Sequence, residues 1–352
     1  MTRERLYIGT YTRGTPSEGI YRAMFDTESG TLDVDASYPA DNPSFLALNA
    51  ARRKLYAVNE TTDFEDRGSG AVTTFAIDAD DALIGVDQRP SEGALPCHLA
   101  LVGETHLVVT NYGGASVCVF PLSPEGVTEA PSHICRHEGS GVNPARQSEP
   151  HPHQVVAAGG DLVMIPDLGL DRVFCYRLRD GLLQPNDPPW AQVEAGSGPR
   201  HLIAFAQTRR AYLINELDNT IDVFEFEGES GTLAHLQRVR TLPEGVTIRS
   251  HCADIHTDGR FLYGSNRGHD SLVVCSVDEA DGSLTVREHV SSGGGHPRNF
   301  CFDPSGRWLL VANRDDNNIV VFGLNEISGT PVPYAEFDLS APVCLLFADS
   351  LS

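Results

Sequence analysis

The sequence predicts an all-β protein, a seven-bladed β-propeller with four antiparallel strands in each blade. Three observations predict this fold. A strand that ends in Asn or another polar residue recurs seven times, at positions 10, 59, 111, 167, 215, 266 and 313, which are 47 to 56 residues apart. A second strand in each repeat alternates apolar and polar residues, most clearly over residues 221–226, as expected for an antiparallel sheet. Gly-containing turns such as Gly231-Thr232-Leu233 follow these strands, and repeats of this length are typical of propeller blades.

The order of strands within a repeat predicts how the first blade is completed. The four strands, named A to D, are expected at residues 201–205, 211–215, 221–226 and about 236–241 in the fifth repeat. The chain begins with a B strand at Leu6 and ends with a segment that resembles strand A. Residues 343–348 are therefore expected to pair with the N-terminal strand, which leaves no open edge. Neither a linker nor a low-complexity tract interrupts the repeats, so residues 1–352 are predicted to form one domain.

Composition and charge restrict the partners and the compartment. The formal net charge is −22, which makes general binding to nucleic acid improbable because phosphate would be repelled. No apolar stretch is long enough for a transmembrane helix, and the N-terminus runs into a strand without a signal sequence, so we expect no membrane contact and a cytoplasmic location. A monomer or weak homo-oligomer is expected. The eight Cys residues include no Cys-x-x-Cys motif, and five of them lie in apolar runs typical of buried thiols: Cys118, Cys175, Cys275, Cys301 and Cys344.

Charged, imidazole and aromatic side chains gather where strand A begins and strand B ends. Because A and B are antiparallel, these positions share one end of a blade, and in a closed ring they form one rim around the channel. The starts of strand A carry His98, His151, His153, Arg200, His201, Arg249, His251, His296 and Arg298, and the ends of strand B carry Glu60, Tyr112, Glu216, Arg267 and Arg314. Such a group within an acidic protein indicates an anion site. The structural alternative is that these side chains only tie strand ends together across blades.

No motif for a protein nucleophile or for a nucleotide accompanies this rim. Gly-x-Ser-x-Gly, His-Glu-x-x-His and Walker A patterns are all missing from the sequence. His151 and His153 could form a metal pair, but their spacing fits a strand end equally well, so no metal and no cofactor are predicted. The favoured chemistry is attack by water, with a His as base and Arg side chains stabilising the anion.

At these residues the sequence resembles the seven-bladed propeller lactonases, a family that includes propeller-type 6-phosphogluconolactonases and the fungal carboxymuconate lactonising enzyme. The resemblance covers essentially the whole chain. It is carried by residues 67–72, 96–99, 110–117, 150–153, 166–173, 198–201, 215–217 and 253–259. Two segments depart from the family pattern: Arg146-Gln147-Ser148-Glu149 has its Glu displaced by one position, and Gly113-Gly114-Ala115-Ser116 has an Ala in a run of Gly.

The resemblance implies hydrolysis of 6-phospho-D-glucono-1,5-lactone, an anionic sugar lactone, to 6-phosphogluconate in the pentose phosphate pathway. By motif, the family's site residues correspond to His153, Arg200, Glu216 and Arg267. His153 is expected to act as general base, Glu216 to orient a partner or the substrate hydroxyls, and the two Arg to bind or polarise the substrate. Further substrate-binding residues are expected at His98, His151, His201, Arg249, His251 and Arg298. Arg249 and Arg298 form a second phosphate pair in this prediction, and His201 or His251 is the next candidate base.

Other functions stay open at this point. A cycloisomerase, or a lactonase for a carboxylated lactone of the muconate type, would need the same Arg-rich pocket. A non-catalytic propeller that binds a protein would be expected to expose aromatic residues on one face, and the sequence has only two Trp. A six-bladed, calcium-dependent gluconolactonase does not match seven repeats.

Overall fold

The computed structural model describes residues 3–348, and within them the chain forms 28 strands and no helix. The strands are β1 (Arg3–Thr10), β2 (Gly19–Asp26), β3 (Thr31–Pro39), β4 (Leu46–Asn49), β5 (Lys54–Phe64), β6 (Ser69–Ile77), β7 (Leu83–Pro90), β8 (Pro96–Val102), β9 (His106–Asn111), β10 (Ser116–Pro121), β11 (His133–Arg136), β12 (Val156–Gly159), β13 (Leu162–Asp167), β14 (Arg172–Arg179), β15 (Leu182–Gln192), β16 (Pro199–Phe205), β17 (Arg210–Asn215), β18 (Thr220–Glu227), β19 (Thr232–Arg240), β20 (His251–Thr257), β21 (Phe261–Arg267), β22 (Ser271–Val277), β23 (Leu284–Ser291), β24 (Pro297–Phe302), β25 (Trp308–Asn313), β26 (Asn318–Leu324), β27 (Pro331–Asp338) and β28 (Pro342–Phe347).

These strands form seven sheets of four strands each. Six sheets take four consecutive strands, from β4–β7 to β24–β27, and the remaining sheet has the order β28-β1-β2-β3. Strand β28 pairs antiparallel with β1, in a register that runs from Leu6 opposite Phe347 to Thr10 opposite Pro342. The predicted fold class is therefore confirmed: seven four-stranded antiparallel blades, with the first completed by the C-terminal strand.

Several predicted strand bounds differ from the observed ones. Strand β16 begins at Pro199, so Arg200 lies within strand A and not just ahead of it, whereas His201 lies in strand A as predicted. Strand β19 begins at Thr232, earlier than expected. Strand β5 continues past Asn59 to Phe64 because the chain forms a longer hairpin with β6 there.

Two compact units can be distinguished in the chain. The first unit takes its described residues from Met1–Pro43, Ile214–Val223 and Gln237–Ser352, and the second unit consists of Ser44–Leu213 and Phe224–Leu236. The single domain expected over residues 1–352 stays a prediction.

Strand B of each blade is buried on both faces, because its alternate side chains pack towards different neighbours. In β25, Leu309 belongs to the apolar cluster that contains Tyr263 of β21. The adjacent Leu310 belongs to the cluster that contains Leu6 of β1. A strand covered on both faces needs apolar residues at every position, which explains why the B strands read as continuous apolar runs. Each fully buried Leu of this kind contributes about 1.5–3 kcal/mol to folding.

The Asn that ends strand B ties its blade to the preceding one. In three blades its side-chain amide donates to a carbonyl that directly follows strand D of the blade before. The pairs, with their Nδ2–O distances, are Asn111 with Ser91 (2.8 Å), Asn266 with Thr241 (3.0 Å) and Asn313 with Ser292 (3.0 Å). In these three blades the Asn is thus a structural tie to the preceding blade, whereas the amide of Asn215 donates within its own blade, to Thr220 and Asp222.

Strand A is an edge strand of its sheet, so some of its backbone N–H groups have no strand to bond. Side chains on strand A, or just ahead of it, in the preceding blade accept several of these hydrogen bonds. The acceptors and donors are His98 Nδ1 with Val155 N (3.3 Å), Gln154 Oε1 with Leu202 N (2.6 Å), Asp254 Oδ2 with Phe300 N (3.3 Å) and Asn299 Oδ1 with Leu345 N (2.7 Å). Buried backbone donors are costly when left unpaired, so these contacts stabilise the inner edges of the blades.

All eight Cys residues carry free thiols. Cys118, Cys175, Cys275 and Cys344 are buried as the sequence predicts, whereas Cys301 is partly exposed, which corrects that expectation. Within residues 3–348 no helix is long and apolar enough to cross a membrane.

Candidate active site

In the second unit, four imidazoles and one phenol form a ring cluster, which consists of His98, Tyr112, His151, His153 and His201. Their centroids are separated by 4.2 Å (Tyr112 and His151, stacked), 5.6 Å (Tyr112 and His153), 5.3 Å (His153 and His201) and 5.7 Å (His98 and His201), the last three edge to face. All four imidazoles are buried, at 4–8% exposure. The structure therefore brings together five of the residues that the sequence analysis placed on the rim.

The segment that carries His151 and His153 lies ahead of β12 and runs beside the end of β13. His153 N donates to Pro166 O at 2.9 Å, and Leu168 N donates to His151 O at 3.0 Å. This pairing holds the segment extended, and in an extended chain residues two apart point to the same side. Both rings consequently reach Tyr112.

The hydrogen bond of His151 fixes which nitrogen of its ring carries the proton. Nδ1 lies 2.8 Å from the carbonyl oxygen of Tyr112, which can only accept. The proton of neutral His151 is therefore on Nδ1, and the lone pair is on Nε2. A neutral imidazole with this tautomer is ready to accept a proton.

His98 and His201 use a ring nitrogen as a hydrogen-bond acceptor, which makes them poor bases. Val155 N donates to Nδ1 of His98 at 3.3 Å, and a guanidinium nitrogen of Arg200 donates to Nε2 of His201 at 3.2 Å. An N–H donor occupies the lone pair in each case, so each ring carries its own proton on the other nitrogen. His98 also packs face to face with Phe45, at a centroid distance of 3.9 Å.

Arg200 is among the largest fully buried side chains of the described residues, at 2% exposure. It follows a turn in which Gly196 and Gly198 have φ values of +89° and +65°, a backbone conformation that favours glycine. Asp171 holds this turn by accepting hydrogen bonds from Gly196 N at 2.7 Å and Gly198 N at 2.8 Å. A buried, permanently charged guanidinium is thus placed directly beside the ring cluster.

In the first unit, Arg267 and Glu216 form a buried ion pair. Their side chains are 9% and 5% exposed, and the distance from NH2 to Oε2 is 2.7 Å. Arg267 also donates to the carbonyl oxygens of Cys252 at 2.7 Å and His251 at 3.3 Å. Among the described residues these contacts use Nε and NH2, so NH1 has donors left for a ligand.

Arg249 and His251 lie next to this ion pair at the start of β20. Arg249 Nε donates to Nε2 of His251 at 3.3 Å, so His251, like His201, uses a ring nitrogen as acceptor. Arg249 is exposed, and none of the ion pairs found among residues 3–348 includes it. The thiol of neighbouring Cys252 is no nucleophile, because burial raises its pKa to about 12.

Arg298, the other expected phosphate ligand, lies over the ring of Tyr11 at 5.3 Å from its centroid. Tyr11 also lines a cleft of about 470 Å³ that includes Arg13 and Arg314. Both of these arginines are paired with carboxylates, Arg13 with Asp41 and Arg314 with Asp315. The second phosphate pair thus consists of Arg249, which is in none of the ion pairs found among residues 3–348, and Arg298, which packs on an aromatic ring.

Sequence reasoning missed several side chains that support the site. His137 is buried and its Nδ1 lies 2.6 Å from Asp167 Oδ2, and Gln147 is buried and donates to Asp171 Oδ1 at 2.8 Å. Cys97 donates to His153 O at 3.3 Å. The sequence offers one signal for these residues: the fourth repeat has Asp167 at the end of strand B, where five of the seven repeats have Asn.

No cluster of three or more His, Cys, Asp or Glu able to hold a metal ion occurs in the part of the chain that is described.

The family model of a seven-bladed β-propeller lactonase matches residues 5–347. The chain belongs to the seven-bladed β-propeller lactonase family. Its seven four-stranded blades agree with the seven blades of this family. The likeness stated from the sequence motifs is thereby confirmed.

Individual relatives of this lactonase are similar over nine-tenths or more of their length. A 6-phosphogluconolactonase of Bacillus subtilis is 33% identical over 355 residues, which cover 99% of each chain. A 6-phosphogluconolactonase of Formosa agariphila is 31% identical, over 90% of this chain and 91% of that protein. The structure of a periplasmic gluconolactonase of Pseudomonas aeruginosa is 35% identical with a TM-score of 0.92, over 98% of this chain and 99% of that one.

Proposed function

We propose that this lactonase hydrolyses 6-phospho-D-glucono-1,5-lactone to 6-phosphogluconate, with His153 as the general base. The use of the ring nitrogens narrows the choice of base. His98, His201 and His251 each accept a hydrogen bond from an N–H donor, which removes them as bases and leaves His151 and His153 of the ring cluster. The correspondence of His153 to the family's site residue favours His153. His153 lies edge-on to Tyr112 and His201, and His151 replaces His201 and His251 as the next candidate.

The proposed reaction needs only water and the lactone. Neutral His153 takes a proton from water, whose oxygen bonds to the lactone carbonyl carbon and forms a tetrahedral oxyanion. The bond from that carbon to the ring oxygen then breaks, and the imidazolium returns the proton to the ring oxygen, which becomes a hydroxyl. Donors aimed at the oxyanion lower the barrier most when they are held in place beforehand.

Arg200 and Arg267 are assigned to the oxyanion and the sugar oxygens. Both guanidiniums are buried and already oriented by protein contacts, so little reorganisation is needed when charge develops. Glu216 orients Arg267 through their 2.7 Å ion pair, which leaves NH1 to donate. The expected substrate hydroxyl partners are the remaining imidazoles of the ring cluster.

We assign the phosphate to Arg249, with Arg298 in support. Arg249 is exposed and lies outside the ion pairs of the described residues, so its NH1 and NH2 can bind phosphate oxygens in a fork. The proposal includes the cytoplasm as compartment and a monomer or weak homo-oligomer as the working form. The name of the Pseudomonas relative favours a second candidate substrate, the gluconolactone without phosphate.

The test compares hydrolysis of the phosphorylated lactone, glucono-1,5-lactone and muconolactone by the wild type and by Arg249→Ala. One charge-assisted contact is worth about 1.4 kcal/mol, so KM for the phosphorylated lactone should rise about tenfold. KM for glucono-1,5-lactone should stay within about twofold, since neutral hydroxyls gain little from Arg249.

Arg260→Ala is the matched control, because it removes the same charge beyond the other end of β20, where Arg260 contacts Glu326 O and Phe261. Equal KM changes for both gluconolactones, or faster wild-type hydrolysis of the unphosphorylated one, would contradict the phosphate assignment. Turnover of muconolactone above both would favour the muconate-type alternative.

A further inference from the structure

The hairpin between β13 and β14 lies between the two segments that carry His153 and Arg200. It spans residues 167–171 and begins and ends with a buried carboxylate, Asp167 at 0% and Asp171 at 3% exposure. Burying a carboxylate is costly unless hydrogen-bond donors surround it. The groups that donate to each of these two carboxylates therefore show which segment the carboxylate keeps in place. No role in the reaction described above requires either group to touch the substrate.

Asp167 holds the segment of the base. Its Oδ1 accepts hydrogen bonds from His151 N at 2.8 Å and Gly169 N at 2.9 Å, and its Oδ2 lies 2.6 Å from His137 Nδ1. His137 is held in turn by the hydroxyl of Tyr176, at 3.0 Å from Nε2. Burial raises the pKa of Tyr176, so its hydroxyl keeps its proton and donates. His137 therefore donates to Asp167 and does not compete for the base's role.

Asp171 holds the segment of Arg200. Its Oδ1 and Oδ2 accept hydrogen bonds from Gly198 N and Gly196 N, directly ahead of Pro199 and Arg200. Gln147 braces the hairpin itself, because its Nε2 donates to both Asp171 Oδ1 at 2.8 Å and Leu168 O at 2.9 Å. The carboxylate thus fixes the turn from which the buried guanidinium extends.

The middle of the hairpin also contacts the base's segment directly. A Cβ on Gly169 would overlap the carbonyl oxygen of Glu149 and press on Pro150, the residues just before His151. Only glycine permits this close approach, so the hairpin and the segment fit each other through backbone as well as through Asp167.

We propose that the hairpin 167–171 is a positioning element that sets the distance between the general base and Arg200. Asp167 and Asp171 are positioning residues: they act through His151 N–H and the Gly196–Gly198 turn. The inference rests on the proposed roles of His153 and Arg200, and it assigns a function to the motif 166–173. A misplacement of about 1 Å between such groups can lower a rate about 10²-fold.

The test measures kcat, KM and thermal unfolding of the full chain for Asp171→Asn, Asp167→Asn and Gly169→Ala, with whichever gluconolactone the wild type hydrolyses. Each variant should lose about 10–100-fold in kcat with KM changed less than threefold. Asp167→Asn should also shift the acid limb of the pH–rate profile, because it alters the surroundings of the base. Asp171→Asn should leave that limb in place.

Asp303→Asn is the matched control. Asp303 is also buried and also accepts backbone N–H groups, from Ser305 and Trp308, but it stabilises the turn between β24 and β25, at the opposite end of the blade from the start of strand A. It should lower the unfolding temperature and keep kcat. The proposal is overturned if the three hairpin variants keep kcat within threefold, or if Asp303→Asn loses kcat equally.

Two results separate this inference from the proposed function. If His153→Gln keeps its turnover while the hairpin variants lose theirs, the base assignment fails and positioning of Arg200 remains. If Gly169→Ala does not fold, a crystal structure of Asp171→Asn decides the matter. Residues 196–201 should shift in it while 150–153 stay in place, and unchanged positions for both segments would overturn the proposal.

Discussion

Replacing Arg267 by Met tests whether its buried ion pair with Glu216 stabilises the folded protein, a scaffolding role in addition to the proposed role of Arg267 in the site. The substitution removes the charge and keeps most of the volume. Arg267 makes three contacts, to Glu216 Oε2 and Cys252 O at 2.7 Å each and to His251 O at 3.3 Å, and its side chain is 9% exposed. Removing one partner of a buried pair typically costs about 3–5 kcal/mol, because the other charge stays in a poorly solvated place.

The expected change in unfolding temperature follows from the size of the protein. At about 2.1 cal/mol/K per residue, unfolding of 352 residues has an entropy near 0.74 kcal/mol/K, so 3–5 kcal/mol lowers Tm by about 4–7 °C. Differential scanning calorimetry measures the shift. The same variant should raise KM for both gluconolactones alike, since Arg267 is assigned to the lactone and not to the phosphate.

Arg238→Met provides the comparison. Arg238 binds the buried carboxylate of Asp222 with two contacts of 2.7 Å and is 21% exposed, but it is not among the site residues. It should lower Tm by a similar or slightly smaller amount and leave kcat/KM unchanged. A Tm of Arg267→Met within 1 °C of the wild type would refute the scaffolding role. A rise in KM confined to the phosphorylated lactone would refute the assignment of Arg267 to the lactone.

Three further results are expected. His153→Gln should lower kcat about 10²–10⁴-fold at unchanged Tm, and turnover near the wild-type value in a steady-state assay would rule it out as the base. Tyr56→Phe and Tyr263→Phe each remove a 2.7 Å hydrogen bond to a glycine carbonyl. Each should lower the free energy of unfolding, measured with denaturant, by about 1–2 kcal/mol. The double variant should lose the sum of the two, and a larger loss would contradict the independence of the two sites. Burial lowers the pKa of His256, but the charge and hydrogen bond of Asp254 raise it by more. This stabilisation is complete below about pH 6.5 and is lost as pH rises through the raised pKa, so the Tm difference between wild type and His256→Gln should shrink from pH 6 to 8. A constant difference would contradict it.

The fold could be predicted from the sequence because each blade repeats the same physical requirements. Strand B is buried on both faces and must be apolar throughout, and in three blades it ends in an Asn whose amide reaches the preceding blade. The closing strand followed from an unmatched B strand at Leu6. The observed pairing of Leu6 with Phe347 is the one that the order of strands in the repeats predicts.

The site could be predicted only in part, since strand order gives positions and not hydrogen-bond partners. The rule that strand A begins where strand B ends brought His98, His151, His153 and His201 onto one cluster. It did not show that Val155 N and Arg200 use lone pairs of two of these rings. Val155 is 57 residues from His98 in sequence, and although Arg200 is next to His201, no spacing pattern shows that its guanidinium turns back onto that ring.

The fourth blade differs from five of the others by an Asp in place of Asn at the end of strand B. An Asn at the end of strand B donates through its amide, as Asn111 does to Ser91 O. At the same position this blade has Asp167, whose two oxygens accept from His151 N, Gly169 N and His137. An amide nitrogen there would oppose an N–H donor, at a cost of about 1–3 kcal/mol for a buried group. The carboxylate therefore converts a tie between blades into a receptor for the backbone of the His151–His153 segment, and that segment is the one to which the general base is assigned.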